Sequence, residues 1–217
     1  MSDPLIQAHN ERPAAVWSSG GEAYEIVSRQ NGSALEHCVA RLDPKPGEEI
    51  LDLATGTGWT SRLVARRGAS VVGADIASDL LAAAKQHASK EGLNIEYRIG
   101  DAEKLPFADQ SFNGVVSTFG VMFASRPEVA AAELGRVSKQ GGRIALATWL
   151  PDSSVSKMFQ VMRTSCPRRP TQPRRHLSNG VTRIGCVSCY LAISISSSRR
   201  ASLPTSTGTV PGHGTHS

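Results

Sequence analysis

Apolar residues along the chain form short runs that alternate with segments of helical periodicity. The first run, over 49–54, is apolar and bounded by turn residues, which predicts a buried strand. Four further strands are predicted over 70–75, 95–99, 114–119 and 143–149. Between them, apolar residues recur three and four positions apart and predict helices. This alternation is typical of an α/β fold, so we predict a doubly wound, mainly parallel sheet with right-handed crossovers.

The segment before the first strand has a different pattern. Residues 1–20 are mostly polar and contain two prolines, which predicts an irregular lead-in. From Glu22 to Leu42, apolar residues at helical spacing predict one or two helices, with a break near Asn31. We therefore divide the first part of the chain into an N-terminal helical segment, 1–42, and a domain, 43–163.

Glycines and acidic residues collect where the predicted strands end. A tight turn, Thr55 to Gly58, follows the first strand, and Asp75 ends the second. Glycines allow a sharp turn and let a ligand lie against the backbone, while a carboxylate can accept from both hydroxyls of a ribose. In such sheets, ligands bind at the carboxyl ends of the strands. The sequence therefore predicts a nucleoside-binding unit at this edge, where Asp52, Asp101 and Phe119 are also expected.

Two nucleoside-containing cofactors compete for this unit. A nicotinamide dinucleotide favours Gly or Ala at the position of Ser61, and its pyrophosphate would be repelled by Asp52. An ammonium group would instead be attracted by Asp52, directly or through water. S-adenosylmethionine has an ammonium group at one end and a ribose at the other, so it suits both Asp52 and Asp75. A nicotinamide-dependent oxidoreductase remains the less favoured alternative.

Five successive motifs resemble those of the class I S-adenosylmethionine-dependent methyltransferases. They are Asp52–Gly58, Asp75–Asp79, Gly100–Phe107, Ser111–Ser117 and Gly141–Ile144. The likeness runs from about residue 13 to residue 152 and is greatest to the small-molecule branch that includes quinone-biosynthesis enzymes. It implies a Rossmann-like sheet and in-line transfer of a methyl group to a small-molecule acceptor, with proximity and orientation as the protein's main contribution and no metal.

The resemblance also implies contacts to the two ends of the cofactor. Asp52 lies near the methionine amine. Asp75 takes the ribose hydroxyls, with Ile76 against the adenine face. Asp101 accepts from the adenine amino group, and Ala102 lines the same pocket.

The loop after the first strand supplies the remaining implied contacts. Ala54, Gly56 and Gly58 pass under the methionine and ribose, and Phe119 closes the site below the sulfonium. Ala54 stands where glycine is commoner in the family. In the family, the N-terminal segment often forms a lid over the acceptor pocket, which suggests that role for residues 1–42. No residue in the sequence stands out as a general base, so the catalytic residues stay unknown.

Charge and composition change at about residue 164. Residues 1–163 have 17 Lys and Arg against 19 Asp and Glu, whereas residues 164–217 have seven Arg and no acid. The net charge of +5 is therefore a property of the tail, and we predict no specific nucleic-acid partner. Seventeen of these 54 residues are Ser or Thr. We predict that 164–217 is a basic, Ser/Thr/Pro-rich, disordered tail.

A reading-frame change near residue 164 is our preferred explanation of this tail. A natural disordered tail and a metal site are the alternatives; the candidate ligands for the latter are Cys186, Cys189, His213 and His216. If the frame has changed, the sheet lacks the last two strands of the seven-stranded family sheet, and the edge of its fifth strand is unpaired. An inactive S-adenosylmethionine-binding remnant is then the first alternative to an enzyme.

Targeting signals are not predicted. Residues 1–7 have neither a basic nor a long apolar stretch, which argues against a secretory signal. No apolar run approaches the roughly 20 residues that span a membrane. The four cysteines form no disulfide framework. We expect a cytoplasmic protein whose partner is a small-molecule acceptor.

Overall fold

The computed structural model describes residues 5–165 and 190–194, and its centre is a six-stranded sheet in the order β3-β2-β1-β4-β5-β6. The strands are β1 Glu49–Leu53, β2 Ser70–Asp75, β3 Glu96–Ile99, β4 Phe112–Thr118, β5 Ser138–Ala147 and β6 Tyr190–Ser194. The first five are parallel, and β6 is antiparallel to β5. The predicted α/β, mainly parallel fold is confirmed. The strand order reverses between β1 and β4, which is where ligands bind in such sheets.

Helices cover both faces of this sheet. They are α1 Glu11–Ser18, α2 Glu25–Gln30, α3 Gly32–Leu42, α4 Trp59–Ala65, α5 Ser78–Lys90, α6 Pro127–Val137 and α7 Ser154–Ser165. Short 3-10 helices lie at Ala8–Asn10, Gly21–Tyr24 and Val121–Phe123. Apolar side chains of α3 and α4 pack on one face of the sheet, and those of α6 pack on the other. Successive residues of β1, such as Ile50 and Leu51, belong to different cores, because successive strand side chains point to opposite faces of the sheet.

One detail of the local structure differs from the prediction, and a second was not predicted. An irregular lead-in was expected over residues 1–20, but its described part, 5–20, is largely helical, since a 3-10 helix occupies Ala8–Asn10 and α1 occupies Glu11–Ser18. Gly141 and Gly142 lie inside β5, and α6 stops before them at Val137. The pairing of β4 and β5 is irregular at this place, between Phe112 and Gly114 of β4, and Gly141 has the positive φ of 75° that glycine tolerates.

An unpaired outer edge of β5 was expected only for a changed reading frame, and in the described residues this edge is paired. Residues 143–147 pair with Tyr190–Ser194 of β6, so the described part of the tail satisfies backbone groups that the fifth strand would otherwise leave open. The remainder of the predicted disordered tail, together with its candidate cysteine and histidine ligands, lies outside the described residues. Within 5–165 and 190–194, no helix has the length and apolarity that a membrane crossing requires.

Candidate functional site: a cleft at the carboxyl ends of the strands

A cleft opens at the carboxyl ends of β1, β2 and β4, between the sheet and the N-terminal helices. Seven of the nine predicted cofactor-binding residues line it: Ala54, Gly56, Asp75, Ile76, Asp101, Ala102 and Phe119. Asp52 and Gly58 do not line it. The N-terminal segment contributes residues from Asn10 to Leu35 to the opposite wall, so the cleft is enclosed on that side by α1, α2 and α3.

Asp75 is held in place by the glycine turn and by the start of the chain after β2. One carboxylate oxygen accepts from the Gly56 N–H at 2.8 Å, and the other accepts from the Ala77 N–H at 2.9 Å. Burial raises the pKa of this carboxyl, while these backbone donors oppose the shift. Each oxygen retains acceptor capacity, so Asp75 can present two acceptors to a ligand in the cleft.

Asp52 lies beneath the glycine turn and does not line the cleft. Its carboxylate is fully buried and accepts from the Thr55 hydroxyl at 2.6 Å and the Ser61 hydroxyl at 2.7 Å, both through Oδ2. Oδ1 has no hydrogen-bond partner among the described residues. Burial raises the pKa of Asp52 to about 6. The side chain therefore anchors the turn from below, and a direct contact with a methionine amine in the cleft does not follow from this geometry.

The backbone at the ends of β1 and β4 is held in an uncommon conformation. Ala54 has φ of 56° and Phe119 has φ of 61°, the left-handed region that side chains other than glycine seldom adopt. The next residue, Gly120, is closely packed, since a Cβ on it would lie 2.2 Å from the Cβ of Ala54. The positive φ of Ala54 gives a physical reason for the glycine that is commoner at this position. Such strain is frequent where a fold builds a ligand site.

Gly58 does not line the cleft but determines the path of the loop that does. Its φ is 79°, and a Cβ at this position would lie 2.4 Å from the Tyr97 hydroxyl. Both observations require glycine, because the turn has to pass close over Tyr97 before α4 begins. Gly58 thus acts on the path of the loop, whereas Gly56 lines the cleft itself.

The N-terminal segment is tied to the glycine turn by a buried ion pair. Nη2 of Arg62 lies 2.6 Å from Oε1 of Glu25, and Nη1 donates to the Thr57 carbonyl at 2.8 Å. Oε2 of Glu25 accepts from the Thr57 hydroxyl. The Arg62 side chain is only 4% exposed, and Glu91 is its second carboxylate partner, at 3.1 Å.

A second set of contacts joins the same segment to the loop after β3. The Asn10 carboxamide donates to both oxygens of Asp101, at 2.9 and 3.1 Å, and its own oxygen accepts from the Ser125 hydroxyl at 2.7 Å. His9 lies 2.8 Å from Glu103, a buried carboxylate that also pairs with Arg126. Sequence reasoning missed Asn10.

Aromatic side chains cover the space between these two sets of polar contacts. The Trp17 ring packs edge-on to Tyr24 with centroids 6.0 Å apart and contacts Phe123 at 5.1 Å, and all three line the cleft. Phe119 lines it as well and stacks on Trp149 at 4.3 Å, so it serves both packing and the site. The cleft therefore has a polar end near the aspartates and an aromatic wall formed largely by the N-terminal segment.

Comparison with solved structures defines the class of fold. A candidate methyltransferase of Bacillus halodurans is 30% identical, with a TM-score of 0.53, over 59% of this chain and 56% of that chain. The 4+2 cyclase SpnF is 26% identical, with a TM-score of 0.52, over 54% of this chain and 44% of that one. The fold is the Rossmann-like fold of methyltransferases. SpnF shows that this architecture does not by itself define the reaction.

Sequence comparison adds the family. Residues 51–146 match the methyltransferase domain family. A demethylmenaquinone methyltransferase of Thermobifida fusca is 36% identical over 156 residues, which are 67% of this chain and 65% of that protein. An uncharacterized protein of Mycobacterium tuberculosis is 36% identical over 159 residues, 72% of this chain and 56% of the relative. These comparisons support a class I S-adenosylmethionine-dependent methyltransferase, and the chain spans between about half and two thirds of these two relatives.

Proposed function

We propose that this chain binds S-adenosylmethionine in the cleft and transfers its methyl group to a small-molecule acceptor. The observation that carries the proposal is the arrangement of Asp75 and Gly56. A buried carboxylate is oriented by the N–H of the glycine turn and faces a cleft at the point where the strand order reverses. Such a carboxylate matches the two hydroxyl donors of a ribose.

The other cleft residues would hold the remaining parts of the cofactor. Ile76 and Ala102 offer apolar contacts to a nucleobase beside Asp101, and Ala54 and Gly56 form a floor without large side chains. Phe119 lies at the end of β4, where it would border the sulfonium. Asp52 would act through the turn that it anchors, and any contact with the methionine amine would pass through water.

Methyl transfer from a sulfonium requires few catalytic groups from the protein. The cofactor supplies an activated methyl group, and this chain's residues would hold the acceptor in line with it and exclude water. We propose that the N-terminal segment is the lid over residues 43–163. It is suited to this role because the Glu25–Arg62 ion pair and the Asn10–Asp101 hydrogen bonds hold it over the cleft. The acceptor's own proton would leave to solvent or to a base that we do not assign.

The wall of the cleft favours an apolar or aromatic acceptor. Trp17, Tyr24 and Phe123 supply aromatic surface, and Val27 and Leu35 add aliphatic surface. The relative from Thermobifida fusca is a demethylmenaquinone methyltransferase, which is consistent with a quinol-like acceptor. Incubating the chain with S-adenosylmethionine and phenolic or quinol acceptors, and following S-adenosylhomocysteine release, tests this part.

The cofactor assignment is tested by calorimetric titration with S-adenosylhomocysteine. Asp75→Ala should weaken binding at least tenfold, because it removes the ribose acceptor and the partner of the Gly56 N–H. Asp79→Ala is the matched control, an exposed acid on the same segment, and should leave affinity unchanged. Equal affinities of the two variants would refute the ribose assignment. Binding without turnover on any acceptor would favour the inactive remnant.

A further inference from the structure

A largely buried histidine lies beside the ion pair that joins the N-terminal segment to α4. His87 is in the last turn of α5, and its side chain is 16% exposed. Its Nε2 atom is buried and has no hydrogen-bond partner among the described residues. Oε2 of Glu25 lies 3.9 Å away, within the range of an ion pair but too far for a hydrogen bond. Buried polar atoms nearly always have a partner, so this gap requires an explanation.

Glu25 connects the N-terminal segment with the glycine turn. Its Oε1 pairs with Nη2 of Arg62 at 2.6 Å, and its Oε2 accepts from the Thr57 hydroxyl. Arg62 is shared with Glu91. A carboxylate oxygen accepts about two hydrogen bonds, so Oε2 has room for a second donor. Such a donor on α5 would hold the segment more firmly against the turn.

The protonation state of the imidazole decides how well His87 can act as this donor. A neutral ring with its proton on Nδ1 presents a lone pair to the carboxylate, and a neutral ring with its proton on Nε2 donates without a charge. A doubly protonated ring presents an N–H and a positive charge, and a small movement would bring it to the distance of a charge-assisted hydrogen bond, about 2.7–2.9 Å. Histidines change charge between about pH 5 and 8. The contact should therefore form as the pH falls and be lost as the pH rises.

The groups around His87 act on this charge in both directions. Burial and the Arg62 guanidinium oppose it, whereas Glu25, Glu91 four residues further on, and the C-terminal end of α5 favour it. Arg66, which pairs with Glu91 at 2.6 Å, is 53% exposed and screened by solvent.

The remaining elements that pack on α5 contribute little charge at this end of the helix. Glu22, just before α2, pairs with Lys90 at 3.8 Å, and both are exposed. Tyr97 of β3 and Tyr24 are neutral phenols, because burial raises the pKa of each. Asp75 of β2 and Ser18 of α1 bond to the opposite end of α5, at Ala77 and Ser78. Glu25 is therefore the carboxylate to which a proton on His87 couples across the boundary with the N-terminal segment.

We propose that His87 is a pH-sensitive contact of the lid: when protonated it donates to Glu25 and holds the N-terminal segment over the cleft, and when neutral it releases this hold. The inference rests on the proposed function, in which the segment covers a bound cofactor. A ligand in the cleft should then gain affinity from His87 at pH 6 and not at pH 8.

The first test is a double-mutant cycle of the full chain with Glu25→Gln and His87→Gln, measured by urea unfolding at pH 6 and pH 8. The coupling between the two sites should be about tenfold in the equilibrium constant of unfolding at pH 6 and within about twofold at pH 8. Other titrating groups, such as Asp52, are present in all four proteins and cancel in the cycle. A coupling that is absent, or equal at the two pH values, would overturn the inference.

The second test is calorimetric titration with S-adenosylhomocysteine at the same two pH values. The ratio of affinities at pH 6 and pH 8 should be at least about threefold larger for the wild-type chain than for His87→Gln. His37→Gln is the matched control, because His37 contacts Arg41 of its own helix, α3, and this variant should behave like the wild type. Equal ratios for the wild type and His87→Gln would show that the contact does not act on the cleft.

The two tests separate the possible failures. If the double variant does not unfold cooperatively, the comparison of wild type, His87→Gln and His37→Gln in the titration decides alone. A wild-type chain that binds no S-adenosylhomocysteine at either pH would refute the proposed function, while the unfolding cycle still decides whether His87 and Glu25 form a pH-sensitive contact.

Discussion

The buried ion pair between Glu25 and Arg62 gives the sharpest prediction about how the cleft is closed. Replacing Glu25 with Ala removes the partner 2.6 Å from Nη2 of Arg62 and the acceptor of the Thr57 hydroxyl. Both groups are in the glycine turn or the first turn of α4. We expect the variant to lose stability and to bind S-adenosylhomocysteine more weakly, because the N-terminal segment is no longer held over the turn.

The magnitude follows from what remains around Arg62. Removing one partner of a buried pair costs about 3–5 kcal/mol when the other charge is left alone. Arg62 keeps Glu91 at 3.1 Å and the Thr57 carbonyl at 2.8 Å, so we expect a smaller loss, about 2 kcal/mol. For a protein of this size, that loss corresponds to a decrease in Tm of about 4–8 °C.

The assay is thermal unfolding followed by circular dichroism, together with ligand titration. Glu22→Ala is the matched control, because Glu22 is a glutamate of the same segment whose pair with Lys90 is long, at 3.8 Å, and exposed on both sides. Such exposed pairs contribute at most about 1 kcal/mol. If Glu25→Ala and Glu22→Ala lower the Tm equally, the ion pair does not hold the segment and this reasoning is wrong.

Two further predictions concern the strained loops and the buried acid. Gly120→Ala should destabilise the fold and abolish ligand binding, because its Cβ would lie 2.2 Å from the Cβ of Ala54. Gly135→Ala in α6 is the control: it has open space around it, so the variant should be neutral or stabilising in thermal unfolding. Burial raises the pKa of Asp52 to about 6, so between about pH 4 and pH 6 the folded state holds a proton that the unfolded chain has released. The stability that depends on this proton is fully present below pH 4 and is lost as the pH rises through about 6. Measured by urea unfolding, Asp52→Asn should therefore gain up to about 3 kcal/mol relative to wild type between pH 4 and 6.5, and an unchanged difference would contradict the buried position of this acid.

The parts of the site that follow from the sequence are those set by local structure. The turn around Gly56 and the acid at the end of the second strand can be predicted because strand ends in a parallel sheet meet at one edge. The structure places Asp75 and Gly56 in contact, 19 residues apart in the chain. For Asp52, the same pattern identified the residue but not its direction, because whether a side chain at a strand end points into the cleft or beneath the turn depends on the packing around it.

The contacts of the N-terminal segment could not be predicted in this detail. Asn10 contacts Asp101 across 91 residues, and Glu25 contacts Arg62 across 37, so no local spacing marks either pair. Arg62 lies on a helix whose outer face would be solvated if the N-terminal segment did not cover it. Burial of this arginine is a tertiary effect, and a single sequence carries no signal for it.

The most direct measurement of the central claim is calorimetric titration of this chain with S-adenosylhomocysteine, with NADH as the control ligand. We predict saturable binding of S-adenosylhomocysteine at one site and no binding of NADH. Binding of NADH alone would contradict the account, because it would mean that the acids and the glycine turn of this cleft serve a dinucleotide.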